Sequence, residues 1–212
     1  MIIIDPKQSY TFSKIFELKI EPKHLARHFG YSFVRKKLNL SPYPGSLDRI
    51  NQLKERIEEI LPYASLSSEA ARREILISPV ILDLVHYTKS EIFIEYSIKV
   101  SEQLQGYLDY LLENVNSLLV IQAKKEDLDY GMTQLITELI ALEKWQENQQ
   151  QPYLIGAVTT GKIWEFARLS REKKQIEQGL ESYRVPEDIE ELMRILVQTL
   201  EPPLALDFVK KY

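Results

Sequence analysis

Asp109, Gln122 and Lys124 are the residues whose types and spacing can do chemistry together. Side chains alternate faces along a strand, so Gln122 and Lys124 project from one side while Ile121 and Ala123 pack on the other. With a turn near residue 115, Asp109 falls opposite Ile121 or Gln122. An acid, an amide oxygen and an ammonium then converge at one end of a mostly apolar hairpin, where packing gives no reason to gather polar groups. Phosphodiester hydrolysis uses such a set. It needs oxygen ligands for Mg²⁺ and a cation near the attacking water and the charge that develops on the phosphoryl oxygens.

The elements that must position these groups follow from periodicity. Gly106 to Leu112 and Leu118 to Lys124 read as the hairpin, joined by the polar stretch Glu113 to Ser117. Before it, Ile92, Ile94, Tyr96, Ile98 and Val100 alternate with Glu95, Ser97 and Lys99, which predicts a half-buried strand with the apolar set on one face. Earlier still, Ile50, Leu53, Ile57, Ile60 and Leu61 share a helical face behind Ser46 as N-cap. A second helix begins at the serines before Glu69 and is expected to kink or end at Pro79. After the hairpin, a long helix from about Leu128 to Gln146 buries Met132, Leu135, Ile136, Leu139 and Leu142, with a polar exit from Gln146 to Pro152. Residues 153–159 and 162–169 flank Thr160-Gly161 as a second hairpin, and 171–184 fits either a charged helix or an edge strand. A last helix is expected from Pro186, burying Ile189, Leu192, Met193, Leu196 and Val197 until Pro202-Pro203. Helices and strands in this order predict an α/β chain with a mixed β-sheet flanked by helices.

With 212 residues and 44% hydrophobic positions, the chain suffices for one sizeable core. The absence of cysteine excludes disulfides and thiolate metal sites and suggests a reducing compartment. The amino terminus has no basic region followed by an apolar run, and no stretch reaches the length of a membrane span, so a cytoplasmic protein without a membrane partner is expected. The net charge of −4 hides an asymmetry, because residues 1–49 carry nine Lys/Arg against four Asp/Glu. Within that basic quarter, His28 to Lys37 interleaves aromatics with Arg35, Lys36 and Lys37, a pattern that suits a phosphate backbone and equally an edge strand guarded by lysines.

Gly106-Tyr107-Leu108-Asp109-Tyr110, then Leu119-Val120-Ile121-Gln122-Ala123-Lys124, then a helix with Gln134-Leu135, resembles the PD-(D/E)XK nuclease superfamily. Ser68 to Arg72 with Leu76 to Pro79 looks like the first core helix of that family, and Gly156 to Phe166 like the strand pair after its active-site helix. The resemblance covers about residues 67–169. It implies a restriction-endonuclease-like fold, with residues 1–66 as a basic extension and helix packed on a 67–212 core. It also implies Mg²⁺ or Mn²⁺ as cofactor, DNA as substrate and a homodimer as one assembly. Metal ligation then falls on Asp109, Glu69 and Gln122, and the catalytic set is completed by Lys124, which positions or activates water. Gln122 departs from the Asp or Glu of the family pattern. It brings a carbonyl oxygen and no charge, so Glu69, or Glu138 one turn beyond Gln134, would have to supply the missing acid. The rival expectation is an inactive module of the same fold that binds nucleic acid or a protein. A more distant one is a structural protein that docks through its acidic carboxy-terminal helix.

Other motifs carry less. Gly156 to Lys162 satisfies most of a phosphate-loop pattern, but Ile163 stands where a hydroxyl is required and a strand follows where a helix is needed. His24 and His28 are one helical turn apart, with no acid between them in the metalloprotease arrangement and no evident third ligand. No serine or histidine sits in a nucleophile-elbow context.

Overall fold

The computed structural model describes residues 4–5, 7–114, 117–124, 127–145 and 151–201. Its elements are α1 (Phe12–Glu17), α2 (Pro22–His28), β1 (Ser32–Lys36), α3 (Ile50–Ile60), α4 (Glu69–Arg72), a π-helical turn (Arg73–Ile77) and α5 (Ser78–Thr88). They continue with β2 (Glu91–Ser101), β3 (Leu104–Asn114), β4 (Ser117–Ala123), α6 (Leu128–Trp145), β5 (Tyr153–Thr159), β6 (Ile163–Ser170), β7 (Gln175–Arg184) and α7 (Ile189–Leu200). Val115-Asn116 of the hairpin loop, most of the polar exit after residue 145 and Pro202-Pro203 lie outside the described residues.

The strands form one seven-stranded mixed sheet in the order β1-β7-β6-β5-β4-β3-β2. β4 and β5 run parallel because α6 crosses over between them, and β1 joins β7 in parallel. The remaining neighbours are antiparallel. Residues 1–66 therefore do more than pack on the core, since β1 is an edge strand of its sheet. Segment 171–184 resolves as strand, with β7 between β1 and β6.

Two apolar clusters fill the two sides of the sheet. One holds α3, α5 and α7, with Leu53, Leu84 and Leu196 among its buried members. The other holds α1, α2 and α6, with Phe12, Leu25 and Leu139. α6 is buried on every side from Gly131 to Glu143, because the sheet covers one face and α1 and α2 cover the rest. That explains how a stretch with two acids, Glu138 and Glu143, and several polar residues comes to lie in the interior. Among the described residues no helix is long and apolar enough to cross a membrane.

Four local expectations are corrected. Ser46 is not a helix cap: Leu47 is buried in a turn, α3 starts at Ile50, and the Arg49 N–H donates to the Tyr87 hydroxyl at 2.9 Å. Pro79 does not end its helix, because the π-turn just ahead of it absorbs the disruption and Pro79 sits in the first turn of α5, where no amide proton is needed. Pro186 does not open the last helix, since the Val185 N–H still pairs with the Lys162 carbonyl at 2.9 Å and Pro186 falls in the turn that follows. Finally, the apolar residues of β2 do not share a face. Ile92 packs with the α5–α7 side, Phe93, Tyr96, Ile98 and Val100 with the α6 side, and Ile94 is 59% exposed.

That last correction has a local cause which also builds the site. Glu95 adopts φ +53°, a left-handed conformation rare in a strand. The β2–β3 register runs Ile94–Tyr110 and then Tyr96–Leu108, stepping over Glu95 and Asp109. β3 changes face at the same point, with Leu108 on the α6 side and Tyr110 and Leu112 on the other. Asp109 thus occupies the break in the ladder.

Candidate functional site

The hairpin pairs Tyr110 with Ile121, so Asp109 stands beside Gln122 as the strand spacing predicts. The Asp109 carboxylate accepts the Ala123 N–H at 2.8 Å and a hydrogen bond from the Gln122 side-chain amide. Gln122 is buried and points at α6, where its Oε1 accepts from Gln134 Nε2 at 2.9 Å. The same Gln134 nitrogen donates to Glu138 Oε1 at 2.9 Å. Gln134 and Glu138 are one turn apart on the face of α6 that meets β4. The result is a continuous polar run, Asp109–Gln122–Gln134–Glu138, through an apolar interior.

Lys124 follows directly on β4, its N–H donating to the Thr159 carbonyl at 2.7 Å and its side chain lying on the α6 side with Gln122. Its stem crosses Gly131: a Cβ there would stand 3.0 Å from Lys124 Cγ and 2.8 Å from Val158 Cγ2, so only glycine lets α6 begin this close to the sheet. The ammonium rests 4.8 Å from the centre of the Phe16 ring of α1. Asp109 and Lys124 are therefore on the same surface of the sheet, and the charge of Lys124 acts on both Asp109 and Glu138.

Burial raises the pKa of Asp109, opposed by Lys124, by the Ala123 N–H and by Arg73, and reinforced by the charge of Glu69. Glu138 is fully buried and held well above the usual carboxylate range, first by loss of water and then by the negative charge of Asp109. Among the described residues, the buried Gln134 Oε1 and Glu138 Oε2 have no hydrogen-bond partner. An isolated pair of such oxygens is costly, so the site favours a proton or a cation there. The donors are all hard oxygens, the chemistry that Mg²⁺ and Mn²⁺ take. Among the described residues no group of three or more His, Cys, Asp and Glu is placed to hold a metal, so water and amide oxygens would have to complete the coordination.

The remaining expected residues distribute as follows. Glu69 opens α4 behind the Ser68 cap, half-buried, and reaches Asp109 only through its charge. Arg35 donates to Gln178 Oε1 at 3.2 Å, and Lys37 is exposed. Lys36 is committed to the buried Glu177 at 2.6 Å, which Arg168 also holds, so it is no free phosphate contact. His24 lies 3.7 Å from Glu21 and shares nothing with His28. The phosphate-loop look-alike is the β5–β6 turn, with Gly161 at φ +84°.

Sequence reasoning missed Arg73. It leaves the π-turn, lies 5.2 Å from the Tyr110 ring, reaches Glu95 at 3.4 Å and acts on Asp109 through its charge. Only the π-turn brings it there, and no residue pattern announces a π-turn. Comparison of the chain with protein-family models, with curated proteins and with solved structures gave no match.

Proposed function

We propose that this chain is a metal-dependent phosphodiester hydrolase acting on DNA, built on a restriction-endonuclease-like fold. The observation that carries the proposal is the buried run from Asp109 to Glu138, which ends in an unpartnered carboxylate oxygen within the field of Lys124. The fold assignment draws support from the element order: a helix, the β2–β3–β4 meander, a buried helix, and a strand parallel to β4. Asp109 and Glu138 would hold Mg²⁺ or Mn²⁺, with Glu138 in the place of the acid that Gln122 lacks. The metal, when bound, would polarise the phosphoryl oxygen and lower the pKa of a coordinated water.

The chain's own groups then have defined tasks. Gln122 becomes a positioning residue, since its nitrogen fixes the Asp109 carboxylate and its oxygen the Gln134 amide. Lys124 would place a positive charge where charge develops on the phosphoryl group, and the Phe16 ring holds its ammonium on this side of the sheet. Glu69 adds negative potential at the rim.

The test is cleavage of supercoiled plasmid in Mg²⁺ or Mn²⁺. The wild type is expected to nick or cut, with losses on the order of a hundredfold or more in Asp109→Ala and Lys124→Ala. A second reading, a nucleic-acid-binding module without cleavage, draws on the finding that among the described residues no three His, Cys, Asp or Glu side chains gather to hold a metal. DNA binding with no cutting in either metal decides for that reading.

A further inference from the structure

A cavity of about 620 Å³ opens between α2, β1 and the first turn of α6, and its lining includes Lys23, Phe33, Arg35 and Tyr130 together with the acids Glu21 and Asp129. Its lining residue Tyr130 is the chain neighbour of Gly131, over which the Lys124 stem runs. Between the two, cations and aromatic rings alternate. Lys124 lies over Phe16 at 4.8 Å and Lys19 over Tyr130 at 5.4 Å, and the cavity then presents Phe33 with Lys23 and Arg35. The loop that carries Lys19 is anchored to α6 by Thr133 Oγ1, which donates to the Ile20 carbonyl at 2.7 Å. The spacing of rings and cations is thus set by the fold.

We propose that this track binds single-stranded nucleic acid, with one base stacked on Tyr130 in the cavity and the flanking phosphates on Lys19, Lys23 and Arg35, leading the strand to Lys124. The inference rests on the phosphodiesterase reading for its direction and not for its chemistry. Ring faces accept any base and cations follow the backbone, which is how strands are held without sequence readout. A blunt duplex keeps its bases stacked and cannot offer one to Tyr130. The cavity is large enough for a nucleotide by the usual scale of small-ligand sites. The cationic contact expected along Arg35-Lys36-Lys37 is thereby moved to Lys19, Lys23 and Arg35, since Lys36 is held by Glu177.

Fluorescence anisotropy in EDTA tests this without metal or cleavage, using labelled oligothymidylate, oligouridylate and a blunt duplex on the full chain. Single strands are expected to bind more tightly than the duplex, with affinity falling as salt rises. Tyr130→Ala should weaken binding on the order of five- to a hundredfold, Tyr130→Phe should retain it, and the exposed Lys19→Ser should weaken it with a shallower salt dependence. Glu21→Gln should tighten it. Equal or tighter duplex binding, or unchanged affinity in both Tyr130→Ala and Lys19→Ser, overturns the proposal. Strand binding intact with cleavage absent overturns the hydrolase reading alone, and the reverse overturns this one alone.

Discussion

Gln134 Nε2 donates to Glu138 Oε1 at 2.9 Å inside the same helix, while the second oxygen of Glu138 is buried and has no hydrogen-bond partner among the described residues. An ionisable acid has thus been taken into the interior and half satisfied, an arrangement that costs folding energy. Such a cost makes sense where the group has work to do.

The cost is measurable as a pH dependence. Because the folded-state pKa of Glu138 is raised, the fold holds the proton more tightly than the unfolded chain does. Stability is then fullest below the ordinary carboxylate range and falls as pH rises from there towards the raised value. Glu138→Gln removes that loss, and its amide can supply the donor that Gln134 Oε1 lacks. Denaturant unfolding is expected to show the variant more stable than wild type at pH 8, by about 1–3 kcal/mol, and close to it at pH 4. A wild type whose stability is flat over this range argues that Glu138 is not held protonated.

Gln122→Glu places a third carboxylate between Asp109 and Gln134. Without metal it should lower the melting temperature at neutral pH, through repulsion from Asp109 in a dry site. With millimolar Mn²⁺ its melting temperature should rise by more than that of the wild type, since a ligand that binds only the folded state stabilises it. Scanning fluorimetry with and without the ion reads both effects, and a variant indifferent to Mn²⁺ counts against a cation at this position.

Gly131→Ala sets helix propensity against space. Alanine gains roughly 1 kcal/mol in a helix interior, but its Cβ would stand 2.8 Å from Val158 Cγ2 and 3.0 Å from Lys124 Cγ. Overpacking of this kind costs about 1–3 kcal/mol, so the net change should be destabilising. Displacement of the Lys124 stem should also lower cleavage more than the stability loss explains. An unfolding midpoint at or above wild type contradicts the close packing of α6 on the sheet.

Lys36→Ala separates a structural cation from a binding one. Glu177 is 3% exposed and keeps Arg168 when Lys36 is lost. The Lys36 side chain is 42% exposed, so after screening the change should cost about 1 kcal/mol or less. DNA affinity should hardly move, whereas Arg35→Ala should weaken it. Equal losses of affinity in the two variants place the phosphate contact along all of 35–37 instead.

The parts of this molecule that follow from local pattern were legible in its sequence. The β3–β4 hairpin, which brings Asp109 beside Gln122, the span of α6, the amphipathic face of α7 and the β5–β6 turn all announce themselves through alternation, helical spacing or a turn glycine. The short α1 and α2 did not, because six- and seven-residue helices carry too little periodicity. Nor did the face change at Glu95 and Asp109, since a single left-handed residue in a strand of β-formers leaves no mark on composition. Within the site, the link from Gln122 through Gln134 to Glu138 depends on how deeply α6 sinks between the sheet and α1–α2, a tertiary fact. Gln122 therefore looked like a weakened ligand, while its observed bonds make it the bridge between two carboxylates.

The most direct test of the account is a crystal of the protein soaked in Mn²⁺ and measured at an anomalous wavelength. The account predicts one anomalous peak within coordination distance of both an Asp109 and a Glu138 carboxylate oxygen, lost in Asp109→Ala. A peak elsewhere, or none at millimolar Mn²⁺ with both side chains well ordered, contradicts it.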